Sequence, residues 1–321
     1  MKAAVIDGYG GSEHLTVREL PEPGPPGSGQ VLLRVQAAGV NPLDWKIRRG
    51  RMRLIMPARF PLILGFDVAG EVLAIGPEVT RFQPGDAVFG VADVNPQGGS
   101  YAELTLAREA ALAALPGSLS FEEAAALPMA GLTALQGLRD KGELVAGERV
   151  AINGAAGGVG HFAVQVAAAL GAHVTAVASG RNLEFVRSLG AHEAIDYEEE
   201  EFTARDETWD VIFDLVGNRS FADCEEVLSR NGGIYISTVP SARLFLSVAA
   251  ATLGGLLGQR KRGRFVKVQY RGEDLTLLAR LAEQGELRPV IQEVFPLEEA
   301  RKAHEISEAG HVSGKLAVRV G

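Results

Sequence analysis

The stretch Val150-Ala151-Ile152-Asn153-Gly154-Ala155-Ala156-Gly157-Gly158-Val159-Gly160 decides how this chain reads. A short apolar run of strand character passes into glycines at 154, 157, 158 and 160, and then into an apolar segment of helical length, 159–170. Such a turn brings backbone close to a diphosphate with no Cβ in the way. The helix that follows offers unpaired N–H groups and the positive end of its dipole. The spacing is G-x-x-G-x-x-G rather than G-x-G-x-x-G, and either pattern taken alone also describes a tight glycine turn with no ligand. The strand before it and the units after it favour a dinucleotide, with Gly154, Ala156, Gly157, Gly158, Val159 and Gly160 as its cradle.

Downstream, strand-like residues 173–178, 194–196, 211–214 and 233–237 alternate with helix-like residues 182–189 and 221–228. That alternation means βαβ units, hence an α/β fold with a doubly wound parallel sheet of Rossmann type. Upstream the texture differs. Short β-like runs at 3–6, 31–35, 68–75 and 87–89 are separated by Gly/Pro turns, and the segment PEPGPPGSGQ (21–30) is barred from helix and expected as an exposed loop. This pattern predicts a small irregular β-barrel or sandwich. Ser120, followed by Glu122 and Glu123, is an expected helix N-cap. Residues 266–321 carry helix-like segments at 275–284 and 297–307 and strands near 290–294 and 315–320, and are expected to complete the first domain. The expected division is therefore 1–122 with 266–321, and 123–265.

Acidic residues outnumber basic ones 40 to 32 over 321 residues, a balance that argues against a nucleic-acid binder. The single cysteine, Cys224, excludes an intrachain disulfide framework and any site with several cysteine ligands. With no signal-peptide pattern at the start, the expected setting is soluble and cytoplasmic. The apolar stretch 244–257 is shorter than the roughly 20 residues of a membrane span, and Gly254-Gly255 interrupts it. It reads as a buried or interface helix whose basic end (Arg260, Lys261, Arg262, Arg264) is solvated, with a flap over a substrate site or membrane contact as the other readings. The acidic run 198–201 reads as a solvated loop.

An NAD-selective fold of this kind carries Asp or Glu at the end of its second strand. Here that strand continues Ser179-Gly180-Arg181-Asn182. Ser179 and Asn182 can donate hydrogen bonds and Arg181 can pair with a 2′-phosphate, so NADP(H) is the expected cofactor. The other reading is that Arg181 decorates a helix start, a slightly unfavourable place for a cation.

The blocks AAGVNPLD (37–44), LGFDVAGEV (64–72), GGSYAE (98–103), LPMAGLTA (127–134), the glycine loop and LGAHEAIDY (189–197) together resemble the zinc-free quinone oxidoreductase branch of the medium-chain dehydrogenase/reductase superfamily. They run in family order over nearly the whole chain. The Ser-x-Arg-Asn corner further resembles the enone oxidoreductase and chloroplast-envelope-like subgroup. The resemblance implies a GroES-like N-terminal domain, a Rossmann domain, a cleft at their junction and a homodimer. Zinc-dependent relatives place Cys, His, Glu and a second Cys where this chain has Asn41, Phe66, Asp67 and Met129. Phe cannot coordinate, and amide and thioether groups are poor partners for Zn²⁺. The six histidines form no ligand-spaced pair. No metal is expected.

Without a metal to acidify an alcohol, the chemistry favours hydride transfer from NADPH to an electrophilic quinone or α,β-unsaturated carbonyl. By resemblance Asn41 is a cleft residue touching substrate or cofactor, or else a loop-capping amide. Lys46 can stabilise an enolate or reach the cofactor ribose with Asp44 orienting it, or the two form an internal ion pair. Thr133 resembles a contact to the nicotinamide half and Tyr197 one beside the adenosine phosphate, against helix packing and a sheet-end tyrosine. Val216, Gly217, Ser237, Thr238, Val239, Phe265 and Val266 are cofactor-site walls by family analogy, and Lys315 is a further cofactor or cleft candidate. Mitochondrial-type enoyl-thioester reductases carry a tyrosine acid in the segment matching 51–60, which has none here. The alternatives to a quinone or enone reductase are an enoyl-thioester or other double-bond reductase, and a non-enzymatic NADPH-binding protein of sensor or crystallin type.

Overall fold

The computed structural model describes residues 1–93, 98–238 and 261–321. They fall into two compact units, Met1–Ala130 with Gln269–Gly321, and Gly131–Val268.

In the first unit, β1 (Lys2–Ile6) pairs with β2 (Thr16–Glu19) and β4 (Leu62–Ile63). The strands β3 (Gln30–Val40), β5 (Asp67–Ile75), β6 (Ala87–Ala92) and β7 (Leu104–Ala114) pair in ring order, β7 returning to β3, so they close a small barrel. Alternate residues of β3 (Val31, Leu33, Val35) point into it and meet Val68, Val72, Phe82, Val88 and Leu112. Closure removes the exposed edges an open sheet would carry. The 11-residue strand β7 was not expected from its sequence LTLAREAALAA, which is rich in poor strand formers. Pairing on both sides, with β3 and with β6, holds it extended.

Residues Gln269–Gly321 belong to this unit. The strand β15 (Lys315–Arg319) runs antiparallel to β3, Leu316 facing Val40 and Arg319 facing Ala37, and parallel to β14 (Ile291–Pro296). Helix α1 (Pro42–Arg48) follows β3 directly, with Asn41 as N-cap. Helix α2 (Phe121–Ala126) is capped by Ser120 and Glu123 in a reciprocal capping box. Sequence reading begins the second domain at 123, yet α2 packs against β3, β5 and β15, and a Cβ on Gly39 would stand 2.3 Å from the Ala125 carbonyl. The compact division accordingly falls after Ala130, where helix α3 (Pro128–Leu135) is already under way.

The second unit is one parallel sheet of β8 (Arg149–Asn153), β9 (His173–Ala178), β10 (Glu193–Asp196), β11 (Val211–Asp214), β12 (Ile234–Ser237) and β13 (Arg262–Phe265). The order β10-β9-β8-β11-β12-β13 is the 3-2-1-4-5-6 order of a dinucleotide-binding sheet. Between strands run α4 (Gly160–Ala169), α5 (Leu183–Ser188) and α6 (Phe221–Cys224). Two expectations change. The helix expected over 221–228 stops after one turn, because the Trp209 N–H bonds the Val227 carbonyl and the Ser229 N–H bonds the Trp209 carbonyl, drawing the chain into a bridge. The basic stretch expected as a solvated helix end is in part β13, an edge strand whose Arg262 and Arg264 bond Glu143 at 3.0 and 2.7 Å. Charge on an edge strand discourages pairing with another chain. The apolar stretch 244–257 lies outside the described residues. The later helices, α7 (Gly272–Glu283) and α8 (Ala300–Ala309), belong to the first unit.

Candidate functional site

In the second unit, the residues singled out from sequence gather at the carboxyl ends of the parallel strands, where open α/β sheets bind ligands. The N–H groups of Gly154 and Ala155 both bond the Val177 carbonyl, at 3.1 and 3.0 Å, fixing the turn after β8 against β9. Gly154 has φ +83°, a conformation that favours glycine. A Cβ on Gly160 would stand 2.1 Å from the Gly154 carbonyl oxygen, so α4 can start this close to the strand only with glycine there. At Gly157 the nearest neighbour of a Cβ is 3.4 Å away. Packing therefore does not explain that glycine, and an open face for a ligand does. The N–H groups of Gly158 and Val159 donate to no acceptor among the described residues. Bare amides at a half-exposed helix start fit a diphosphate.

The turn after β11 lies against this loop, with Val216 Cγ2 2.8 Å from a Cβ on Gly154. Asp214, buried at the end of β11, organises it: Oδ1 accepts from Asn153 Nδ2 at 2.9 Å and from the N–H groups of Val216 and Gly217 at 3.1 and 3.0 Å, and Oδ2 accepts from the Tyr235 hydroxyl at 2.8 Å. Sequence reading missed Asp214, although a carboxylate closing the buried strand VIFD is itself a signal. Ser237 and Phe265 end β12 and β13, Thr238 follows, and the Val266 N–H bonds the Ser237 carbonyl. Val239 lies outside the described residues. Thr133 is buried on α3.

At the end of β9, Asn182 Nδ2 donates to Ser179 Oγ at 3.0 Å, closing the corner. The Arg181 guanidinium is exposed and has no partner among the described residues. The Tyr197 N–H bonds the Ala178 carbonyl, so this half-exposed ring stands beside the same corner. So does Asp196, whose Oδ2 would be 2.4 Å from a Cβ on Gly180.

In the first unit the candidates form a buried ionic cluster. As N-cap of α1, Asn41 receives no backbone bond through its side chain at hydrogen-bond distance; instead its N–H donates to Asp44 Oδ2 at 2.7 Å. Its side chain is held at both ends: Nδ2 donates to Asp67 Oδ2 at 2.8 Å, and Oδ1 accepts from Lys315 Nζ at 2.6 Å. Lys315 also donates to the Val40 carbonyl at 2.9 Å, and the Met129 N–H bonds Asp67 Oδ1 at 3.0 Å. Of the four positions that match the zinc site in the resemblance, three, Asn41, Asp67 and Met129, are thus brought together, and the cation among them is an ammonium. Among the described residues no three His, Cys, Asp or Glu side chains gather as a metal would need.

The chain of contacts continues outward. The Tyr101 hydroxyl donates to Asp44 Oδ2 at 3.1 Å and lies 3.4 Å from His304 Nε2, while Arg48 Nε donates to His304 Nδ1 at 3.3 Å and Arg48 pairs with Glu308 at 2.6 Å. Burial, with the Arg48 charge adding to it, holds the His304 imidazole down at about 3, so it is neutral. The expectation that Asp44 orients Lys46 fails. Residues two apart on a helix do not face each other, and Asp44 folds back on Asn41 while the Lys46 ammonium lies 5.6 Å from the Trp45 ring centroid. Burial, then the nearby Arg51, lowers the Lys46 pKa.

Burial pushes the Asp44 carboxyl up to about 7, the Asn41 N–H pulling it down and Asp67 pushing it further up; Oδ1 accepts no hydrogen bond. Burial also raises Asp67 to about 6, against the pull of the Lys315 ammonium. An unfolded carboxyl titrates near ~4, so between about pH 4 and 7 the folded chain holds protons that the unfolded chain has released, and stability falls as pH rises. Asp44→Asn keeps an acceptor for Asn41 and removes one titration. Wild type is expected to lose stability relative to this variant between pH 5 and 8, by on the order of a few kcal/mol. Thermal unfolding of both proteins across that range checks it, and parallel curves would refute it.

Residues 27–117 match the family model of the alcohol dehydrogenase GroES-like domain, and residues 189–318 that of a zinc-binding dehydrogenase. The chain is 36% identical to the chloroplast envelope quinone oxidoreductase homolog of Arabidopsis thaliana, over 99% of this chain and 98% of that protein. It is 35% identical to the 2-methylene-furan-3-one reductase of Solanum lycopersicum, over 90% of this chain and 71% of the relative. Among solved structures, the quinone oxidoreductase from Coxiella burnetii matches with TM-score 0.88 and 35% identity, over 100% of this chain and 99% of that one.

Proposed function

This chain belongs to the quinone oxidoreductase branch of the medium-chain dehydrogenase/reductase superfamily, and we propose that it reduces a quinone or an α,β-unsaturated carbonyl with NADPH and without a metal ion. The observation that carries the reading is the open glycine turn at the carboxyl edge of β8, where the amides of Gly158 and Val159, and the Arg181 guanidinium at the neighbouring corner, have no partner among the described residues. The amides bind the diphosphate. The Arg181 guanidinium, with Ser179 and Asn182, binds one further phosphate, the group that separates NADPH from NADH. Asp214 keeps the Val216-Gly217 turn against the cradle and so fixes one wall. When bound, the cofactor supplies a hydride, and the acceptor gains that hydride and one solvent proton.

The donor set around Asn41 supports chemistry without a metal. Both ends of the Asn41 amide are engaged, by Asp67 and by Lys315, and Phe66 offers no lone pair. The zinc in the family model's description is in that respect not matched by this chain's residues. The names of the relatives, a quinone oxidoreductase and a furanone reductase, support the acceptor class.

Steady-state oxidation of NADPH against quinones, enones and enoyl thioesters tests the proposal. Turnover is expected with a quinone or an enone, and with NADPH at lower KM than NADH. Tight NADPH binding with no turnover of any acceptor would replace the enzyme with a nucleotide-binding protein.

A further inference from the structure

Helix α1 runs into a basic turn. Between Asp44 and Asp67 the chain carries six basic residues, Lys46, Arg48, Arg49, Arg51, Arg53 and Arg59, and no acidic one, in a protein whose net charge is −8. Arg48 and Arg49 are both held by Glu308, at 2.6 and 2.7 Å. Lys46, Arg51, Arg53 and Arg59 pair with no carboxylate among the described residues, and the last three are exposed. The turn is anchored. The N–H groups of Ile55 and Met56 bond the Met52 carbonyl at 2.9 and 2.7 Å, the Ala58 N–H donates to the Tyr9 hydroxyl at 3.1 Å, and the Phe60 ring meets Tyr9 edge-on at 5.0 Å. Met52, Met56 and Ala58 pack against the core of the first unit. Leu54 and Ile55 are left facing outward, 93% and 76% exposed, more so than any other large apolar side chain among the described residues.

We infer that this turn is a peripheral membrane contact, in which Leu54 and Ile55 enter the headgroup boundary of an anionic bilayer while Arg51, Arg53 and Arg59 pair with lipid phosphates. Both halves of the feature call for the same surface. Unpaired cations fit a layer of anionic headgroups, and an apolar tip fits hydrocarbon lying just beneath them. The long arginine stem lets a guanidinium stay at phosphate level while its apolar neighbours go deeper. A fluid bilayer also receives a projecting tip without a preformed pocket, which a folded protein partner would need for side chains this exposed. The chain's overall negative charge is repelled by such a bilayer, so the contact is local and oriented, acting within the roughly 8 Å over which charges are felt at physiological salt. It is a contact and not a span: no helix among the described residues is long and apolar enough to cross a membrane. None of these residues belongs to the glycine turn or the Arg181 corner, so the contact stands or falls apart from the reductase reading.

Cosedimentation of the full chain with vesicles of phosphatidylcholine alone, and of phosphatidylcholine and phosphatidylglycerol in equal parts, tests the assignment. Wild type is expected to partition onto the mixed vesicles and not onto the neutral ones, and to lose most of that binding in about 1 M salt, where charges are screened within about 3 Å. Arg51→Gln with Arg53→Gln is expected to weaken partitioning about thirtyfold, roughly fivefold for each cation near an anionic surface. Leu54→Ser with Ile55→Ser is expected to weaken it about tenfold at unchanged charge. All four side chains are exposed, so both variants should melt with wild type and keep its KM for NADPH. Equal partitioning of wild type onto the two kinds of vesicle, or partitioning that either double variant leaves intact, would overturn the assignment. So would no partitioning at all; wild-type retention on immobilised polyglutamate, lost in the arginine variant, would then give the turn to an acidic protein instead.

Discussion

Lys315→Met is expected to destabilise the fold by about 3–5 kcal/mol at pH 8, the range for removing one partner of a buried ion pair. The ammonium is 3% exposed and touches Asn41 Oδ1 and the Val40 carbonyl, with two buried carboxyls, Asp44 and Asp67, in its field. Methionine fills similar space and withdraws the charge. Asp67 and Asp44 are then left as uncompensated carboxylates in an apolar interior, or must take up protons at a pH where water would hold them ionised. The penalty should shrink towards pH 5.5, because both carboxyls already titrate high, at about 6 and about 7, and accept protons readily there. Adding Asp67→Asn should recover part of the loss at pH 8, since the charge that needed Lys315 is gone. Denaturant unfolding at the two pH values measures all of this. A cost under about 1 kcal/mol, the scale of an exposed pair, or a cost unchanged with pH, would show that the cluster does not depend on its lysine.

This cluster also marks where sequence reading stops. Asn41, Asp44 and Lys315 can each be singled out as polar residues near motifs, but Asn41 and Lys315 are 274 residues apart in the chain and meet only because β15 lies against β3. Asp67 is visible in sequence only as a residue replacing a ligand; its grip on the Asn41 amide and the Met129 N–H is tertiary. Tyr101, His304 and Arg48 carry no local signal. The parallel sheet was far more legible. Each of its first five strands is a short apolar run between turn signals, a pattern local enough to survive without contacts. The sixth, Arg262–Phe265, is polar because it forms an edge, and so its sequence mimics a solvated tail. The same logic hides β7, whose alanines acquire strand geometry only from partners on both sides. What periodicity encodes can be read from sequence; what distant pairing imposes cannot.

Arg181→Ala is expected to raise KM for NADPH by about ten- to hundredfold while leaving KM for NADH nearly unchanged. Loss of a hydrogen bond to a charged group is worth roughly 1.5–3 kcal/mol, and each 1.4 kcal/mol is a factor of ten. The geometry allows the full effect, because Arg181 pairs with no carboxylate among the described residues and is free to meet a bound phosphate. Asp196 opposes this reading. Its carboxylate stands beside Gly180, would repel a phosphate, and could instead accept from a ribose hydroxyl as NAD-selective sites do. Two features weigh against that. Asp196 Oδ1 already accepts from the Glu198 N–H at 3.0 Å, and the residue ends the third strand of the sheet rather than the second. Steady-state kinetics with both cofactors decides between them. If Arg181→Ala shifts both constants equally, the guanidinium does not read the phosphate, and Asp196 becomes the residue that sets cofactor choice, with Asp196→Ala then expected to impair NADH and spare NADPH.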